Sequence, residues 1–381
     1  MKKRILIYST AYFPFVGGAE VAVKEITDRL ADYQFVMVTA LLDNNLPRQE
    51  RIGNIVIHRI GFGIPLLDKI YLAKFGYLKG LKLHQEKKFD IVWSIMASYS
   101  GFAALSFKLK TRVKYLLTLQ EGDFTQRTFN KIRLVKEKFY RIFSEADGLQ
   151  SISNYLHNWG FKMGFKGQVA KVVPNGVNVN LFTRNYPQEE ITELRQSFGF
   201  PEDSIIIVTS SRLAVKNGIE DVIKALKKLP EQYCFYICGR GELEGELKSL
   251  TKELVLDKRV KFAGYKSHLE LAKILKASDI FIRPSITEGL GNSFLEAMAS
   301  GLPTIGTLVG GIPDFLKDGV TGLVCEPQNP QSIAKAIERA GMLNQVEKEK
   351  LHQNALQIIN ERYNWEYIAE RMDCLFRRLI E

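Results

Sequence analysis

Cysteine is scarce: Cys234, Cys238, Cys325 and Cys374 are the whole complement of 381 residues. No two form a CxxC pair, which excludes a disulfide framework and a zinc site and points to a reducing, cytoplasmic setting. Long apolar runs are missing as well. The longest charge-free stretches, 91–107 and 297–313, are 17 residues each, short of the roughly 20 mostly apolar residues of a spanning helix. Serines interrupt the first, and glycines and prolines the second. The opening Met1-Lys2-Lys3-Arg4-Ile5-Leu6-Ile7-Tyr8-Ser9 has too brief an apolar stretch for a secretory signal. There is no Gly-x-Gly-x-x-Gly fingerprint, which disfavours a nicotinamide-dependent dehydrogenase, and no recognisable nucleic-acid module.

What is present is ordinary globular composition, 46% hydrophobic and 25% charged, enough for two or three domains at about 100–200 residues each. The net charge of +11 is unevenly placed. Residues 1–185 hold 28 Lys and Arg against 14 Asp and Glu, a balance of +14, whereas 186–381 hold 25 against 28, a balance of −3. A basic half suits nucleic acid, an anionic membrane or an acidic ligand, and charge alone does not choose among them.

Short β-branched or apolar runs alternate with helix-period segments, the pattern of a doubly wound α/β sheet. Strands are expected at 4–8, 34–39, 55–59, 90–95, 114–119 and 148–151. After the linker Pro174-Asn175-Gly176-Val177-Asn178 they recur at 204–209, 233–238, 260–263, 279–282, 303–306 and 322–325, so two Rossmann-like domains follow.

In such sheets ligands bind beyond the carboxyl ends of the strands, and four loops there stand out. Gly17-Gly18-Ala19-Glu20 puts a glycine pair at a helix N-terminus, where backbone N–H groups suit a phosphate or simply make a tight turn. Ser211-Arg212-Leu213-Ala214-Val215-Lys216-Asn217-Gly218 offers a forked guanidinium and a point charge to phosphate oxygens, or a solvated surface. Gly239-Arg240-Gly241-Glu242 lets a planar ring approach bare backbone. In Pro284-Ser285-Ile286-Thr287-Glu288-Gly289-Leu290-Gly291-Asn292-Ser293-Phe294-Leu295-Glu296 a helix begins near Asn292, and two carboxylates eight positions apart fit one cleft. Ser293-x-x-Glu296 also matches a capping box. Glu288 has no such alternative.

These loops together resemble the family 4 retaining glycosyltransferases of the GT-B fold, an α/β architecture of two Rossmann-like domains facing a central cleft. The resemblance covers nearly the whole chain. Glu288-x7-Glu296 is its most specific piece, supported in chain order by Gly17-Gly18-Ala19-Glu20, Val173-Pro174-Asn175-Gly176-Val177, Ser211-Arg212-Leu213, Gly310-Gly311-Ile312-Pro313-Asp314 and Asp318-Gly319-Val320-Thr321-Gly322-Leu323. It implies an acceptor domain over 1–173, a linker over 174–187, a donor domain over 188–363, and a final helix within 364–381 that crosses back to the first domain.

The resemblance also implies roles. Arg212 and Lys216 would bind the diphosphate of a nucleotide diphosphate sugar, with the Gly17 and Gly18 amides closing on it. Glu288 would hold hydroxyls of the transferred sugar and Glu296 the ribose, while the amides of Leu290, Gly291 and Asn292 approach sugar and phosphate. Gly239, Arg240 and Tyr265 would lie near the base. Two positions depart from the family pattern. Lys216 stands four residues after Arg212, where many relatives have lysine at five. Gln120 stands where many have a histidine near the reacting sugar, and a glutamine hydrogen-bonds a hydroxyl or braces a loop without acting as a general base.

The implied reaction moves a hexose with retention, by front-face attack in which the departing diphosphate helps deprotonate the acceptor. No Asp-x-Asp is present, so no metal and no other cofactor is expected. The acceptor is expected to be a glycan or a lipid-linked group, with no nucleic-acid partner. A sugar-nucleotide epimerase and a non-catalytic nucleotide-sugar binder are the rival readings. Residues 127–143 and 69–88 suggest that the basic half docks on an anionic membrane surface. In the first, Arg127, Lys131, Lys138 and Arg141 form a basic stripe beside the apolar Phe129, Ile132, Val135, Phe139 and Ile142.

Overall fold

A computed structural model describes residues 2–120, 122 and 135–381. The chain forms two compact units, Met1–Gly176 together with Trp365–Glu381, and Val177–Asn364.

The first unit runs β1 (Lys3–Ser9), α1 (Gly18–Arg29), β2 (Tyr33–Ala40), β3 (Gln49–Ile52), β4 (Ile55–Ile60), α2 (Pro65–Glu86), β5 (Ile91–Ile95), α3 (Tyr99–Thr111), β6 (Lys114–Leu119), α4 (Lys136–Ser144), β7 (Gly148–Ser151), α5 (Asn154–Lys162) and β8 (Val169–Val172). Its strands lie in the order β3-β4-β2-β1-β5-β6-β7-β8. The pairing is parallel throughout except between β3 and β4. A parallel strand covered on both faces reads as a continuous apolar run, and in β1 Ile5, Leu6, Ile7 and Tyr8 are all fully buried. β3 and β8 close the two edges with half-exposed residues and no such run. For that reason the sequence pattern does not reveal them.

The second unit contains α6 (Val179–Phe182), α7 (Gln188–Ser197), β9 (Ile205–Ser210), α8 (Ile219–Leu226), β10 (Tyr233–Cys238), α9 (Glu244–Glu253), β11 (Val260–Gly264), α10 (His268–Lys276), β12 (Ile280–Arg283), α11 (Asn292–Ala299), β13 (Thr304–Gly306), β14 (Leu323–Val324), α12 (Pro330–Gly341) and α13 (Gln345–Arg362). Its sheet is parallel in the order β11-β10-β9-β12-β13-β14.

The final helix, α14 (Trp365–Ile380), belongs to the first unit. Trp365, Ile368, Met372, Leu375, Phe376 and Leu379 follow helical spacing and enter the core formed by β1, β2 and β5. The Phe376 ring meets Trp93 at 5.3 Å and Tyr33 at 5.6 Å.

Each sheet reverses its strand order once in the middle, which is where α/β sheets place ligands. In the first unit β1 lies between β2 and β5, and in the second β9 lies between β10 and β12. Among the described residues no helix is long and apolar enough to cross a membrane. Arg127, Phe129, Lys131 and Ile132 lie outside the described residues. Of the same segment, α4 buries Phe139, Ile142 and Phe143, pairs Arg141 with Glu145 at 3.0 Å, and lays Lys138 over the Phe102 ring.

Candidate active site

At the reversal point of the second unit, the loops after β9 and β12 are fastened to each other. The Ile286 N–H donates to the Lys216 carbonyl at 2.7 Å. Gly218 takes φ +67°, and a Cβ there would stand 2.3 Å from the Pro284 carbonyl oxygen, so only glycine fits. Within the first of these loops Asn217 is buried, and its amide donates to the Arg212 carbonyl at 2.5 Å. The position five after the arginine is thus a brace, with the cation one residue earlier on the half-buried Lys216. The Arg212 guanidinium is exposed, 3.9 Å from an equally exposed Glu242 carboxylate, and such a pair contributes little. Beside it the Ser211 hydroxyl is buried without a hydrogen-bond partner among the described residues.

The second loop is organised by a residue that motif reading passed over. Arg283 closes β12 and is 7% exposed. Its guanidinium donates to Ser285 Oγ at 3.2 Å, to Ser293 Oγ at 2.9 Å and to the Glu288 carboxylate, and it stacks over the Phe294 ring at 4.7 Å. The other Glu288 oxygen accepts the Gly289 N–H at 3.0 Å. Glu288 therefore has a partner that its sequence surroundings did not disclose. The only hint was a lone charge ending a buried apolar run immediately before a glycine-rich loop. The loop after β13 holds the backbone of this turn. Thr307 Oγ1 donates to the Ser285 carbonyl at 2.6 Å and the Gly311 N–H to the Glu288 carbonyl at 3.2 Å. At Gly310, with φ +57°, a Cβ would lie 1.8 Å from that same carbonyl oxygen.

The helix α11 begins at Asn292 with Gly291 as its cap residue, so its first N–H groups and the positive end of its dipole lie at the loop. Leu290 and Gly291 are buried and Asn292 half-buried. The capping box that the spacing also allows is not formed. Ser293 is the second residue of the helix, its hydroxyl is engaged by Arg283, and no side chain caps the helix. Glu296 is thereby released from a capping role. Its carboxylate lies largely buried, 3.5 Å from His268 Nε2 on α10. Burial raises the Glu296 carboxyl above the usual range, against the opposing pull of His268 and Arg283.

Gly239, Arg240 and Tyr265 sit at the ends of β10 and β11. The Gly239 N–H donates to the Gly264 carbonyl at 2.8 Å, the Arg240 carbonyl accepts from Leu213 at 2.9 Å, and the Arg240 and Tyr265 side chains are exposed. Gly17, Gly18 and Gln120 belong to the first unit. Gly17 precedes α1, and its N–H already donates to the Glu20 carboxylate at 2.8 Å. The glycine turn thus has an anion of its own chain at that amide. The Gln120 amide oxygen accepts from the buried Asn175 at 3.2 Å.

Two families of sequence match the two halves. Residues 16–181 match Glycosyltransferase Family 4 and residues 190–357 match Glycosyl transferases group 1. An uncharacterised glycosyltransferase of Methanocaldococcus jannaschii is 32% identical over 213 residues, about half of each chain (55% of this one and 54% of that one). The N-acetyl-alpha-D-glucosaminyl L-malate synthase of Bacillus anthracis is 26% identical over 96% of this chain and 94% of its own. Among solved structures, that of Anabaena HepE in complex with UDP-glucose has a TM-score of 0.81 at 18% identity, covering 98% of this chain and 99% of that one. The chain belongs to the family 4 glycosyltransferases and has the GT-B fold.

Proposed function

We propose that this chain transfers a hexose from a nucleotide diphosphate sugar to a glycan or lipid-linked acceptor, with retention of configuration and without a metal or other cofactor. The observation that carries the reading is the fastening of three loops at one reversal point. It gathers Arg212, Lys216, the start of α11 and the carboxylates of Glu288 and Glu296 in a single unit. A diphosphate needs several donors at once, and Arg212, Lys216 and the amides of Leu290, Gly291 and Asn292 supply them. Cationic side chains and a helix N-terminus then neutralise the leaving group in place of a divalent ion. The unpartnered Ser211 hydroxyl adds a further donor beside Arg212.

A carboxylate has about four lone-pair sites. With Arg283 and Gly289 on one side, Glu288 keeps acceptor capacity for hydroxyls of the transferred sugar. Glu296 takes the ribose hydroxyls, and Gly239, Arg240 and Tyr265 border the base. Gln120, held by Asn175, orients a hydroxyl and takes no proton. Attack comes from the face that the diphosphate leaves, so the leaving oxygen receives the acceptor proton and no protein nucleophile is needed. The UDP-glucose held by the Anabaena structure makes UDP-hexoses the first donors to try.

The test incubates the protein with UDP-, GDP- and ADP-hexoses in excess chelator and follows release of the nucleoside diphosphate, with and without candidate acceptors. Release that persists under chelation and falls on the order of 100-fold in Glu288→Gln is the expected result. Wild-type turnover in that variant removes the assignment of Glu288, and strict dependence on added magnesium or manganese removes the metal-free reading.

A further inference from the structure

Arg283 is a buried cation in a site read as binding an anion. Among the described residues its hydrogen bonds go to Ser285, Glu288 and Ser293, in and just after the loop that presents the motif's acids. We propose that Arg283 is the positioning residue for the Glu288-x7-Glu296 pair, setting the Glu288 carboxylate for the transferred sugar and supplying the positive charge that both acids share. This rests on the reading of the site under Proposed function.

Four observations support it. The guanidinium is 7% exposed, so its charge is uncompensated unless an acid lies against it. It reaches Glu288 directly and favours the charged form of Glu296 through space, second only to His268. Two further donors go to Ser285 and Ser293, one on each side of the glycine-rich turn, while Phe294 covers its face. The planar fork is therefore held at four points and cannot turn without moving the turn itself. Finally, the Gly289 N–H fixes the second Glu288 oxygen. With both oxygens anchored, the carboxylate offers its remaining lone pairs in one direction. Lysine, a single point charge, cannot reproduce this fork.

A merely structural arginine and a positioning arginine differ in how they combine with Glu288. If Arg283 acts through that carboxylate, its loss matters only while the carboxylate is there. The experiment is a cycle of wild type, Arg283→Met, Glu288→Gln and the double variant, read as kcat and donor KM with the hexose donor that the wild type turns over. Arg283→Lys replaces Arg283→Met throughout if the latter does not fold.

Arg283→Met is expected to lower kcat by roughly 30-fold or more, with donor KM changed less than about threefold, because the sugar contact strengthens in the transition state. In the Glu288→Gln background the same change is expected to cost less than about threefold. Equal losses in the two backgrounds, an effect confined to KM, or unchanged turnover in Arg283→Met would overturn the assignment. A wild type that turns over no donor, or a Glu288→Gln variant as active as wild type, would instead count against the function proposed for the site.

Discussion

Glu296 shows at the scale of one residue what burying a carboxylate costs. Burial raises its carboxyl, so the folded state holds the proton more tightly than the unfolded chain does. For an acid shifted that way, the favourable contribution is complete below the unfolded value of about 4.3 and is lost as pH rises through the folded value. Glu296→Gln carries no titrating proton. Thermal melts between pH 4 and pH 8 should show the variant gaining on the wild type as pH rises, by a few degrees at neutrality, while nucleoside diphosphate binding weakens. A gap that does not change with pH would show that the burial cost is not real. Sequence reasoning singled out Glu288 and Glu296 but not the environment in which they lie. The Ser293-x-x-Glu296 spacing is a genuine capping signature, defeated because the helix takes Gly291 as its cap, two residues before Ser293. Arg283 was illegible because a buried charge is recognised by its partners, and Ser285, Glu288, Ser293 and Phe294 come round it only once the turn between β12 and α11 has folded.

At the scale of elements, the strands written as unbroken apolar runs were legible, and β3 and β8 were not, because an edge strand needs no such run. The helix α2 is informative in another way. It packs along Asp68, Leu72, Gly76, Gly80 and Leu83, a narrow seam, while Leu66, Leu67, Ile70, Phe75 and Leu78 remain exposed on other sides together with Lys74 and Lys82. The side away from the seam is apolar and basic together. Asp68 pins the entrance to this helix by accepting the N–H groups of Leu42 at 3.0 Å, Phe62 at 2.6 Å and Gly63 at 2.8 Å. As part of the proposed function we assign this face, rather than α4, to an anionic membrane surface. Each Leu or Phe fully removed from water contributes roughly 1.5–3 kcal/mol, and each nearby lysine about 1 kcal/mol. Co-sedimentation with phosphatidylglycerol vesicles at low salt should therefore retain the wild type and lose on the order of 100-fold in partitioning for Leu67→Gln with Phe75→Gln. Neutral phosphatidylcholine vesicles should retain less, and failure of the wild type to bind the anionic ones would leave a soluble acceptor as the better choice.

For the whole molecule, the doubled Rossmann pattern was visible from the strand rhythm, whereas the last helix was expected only through the family resemblance. What the rhythm did not convey is that the first unit is discontinuous in the chain. Its core includes Trp365, Ile368, Met372, Leu375, Phe376 and Leu379, beyond all 188 residues of the second unit, Val177–Asn364. Synthesis runs at about 5–20 residues per second from the N-terminus, so a ribosome making this protein finishes the second unit while the first still waits for its last helix. The earliest residues to emerge are then the last to complete their packing, and Trp93 and Phe35 stay without Phe376 for the whole interval. A chain halted after Asn364 should give a second unit that resists limited proteolysis and a first unit that is digested. Supplying residues 365–381 as a separate peptide should restore protection to the first. Equal resistance of both units in the halted chain would show that α14 is dispensable to the core it enters.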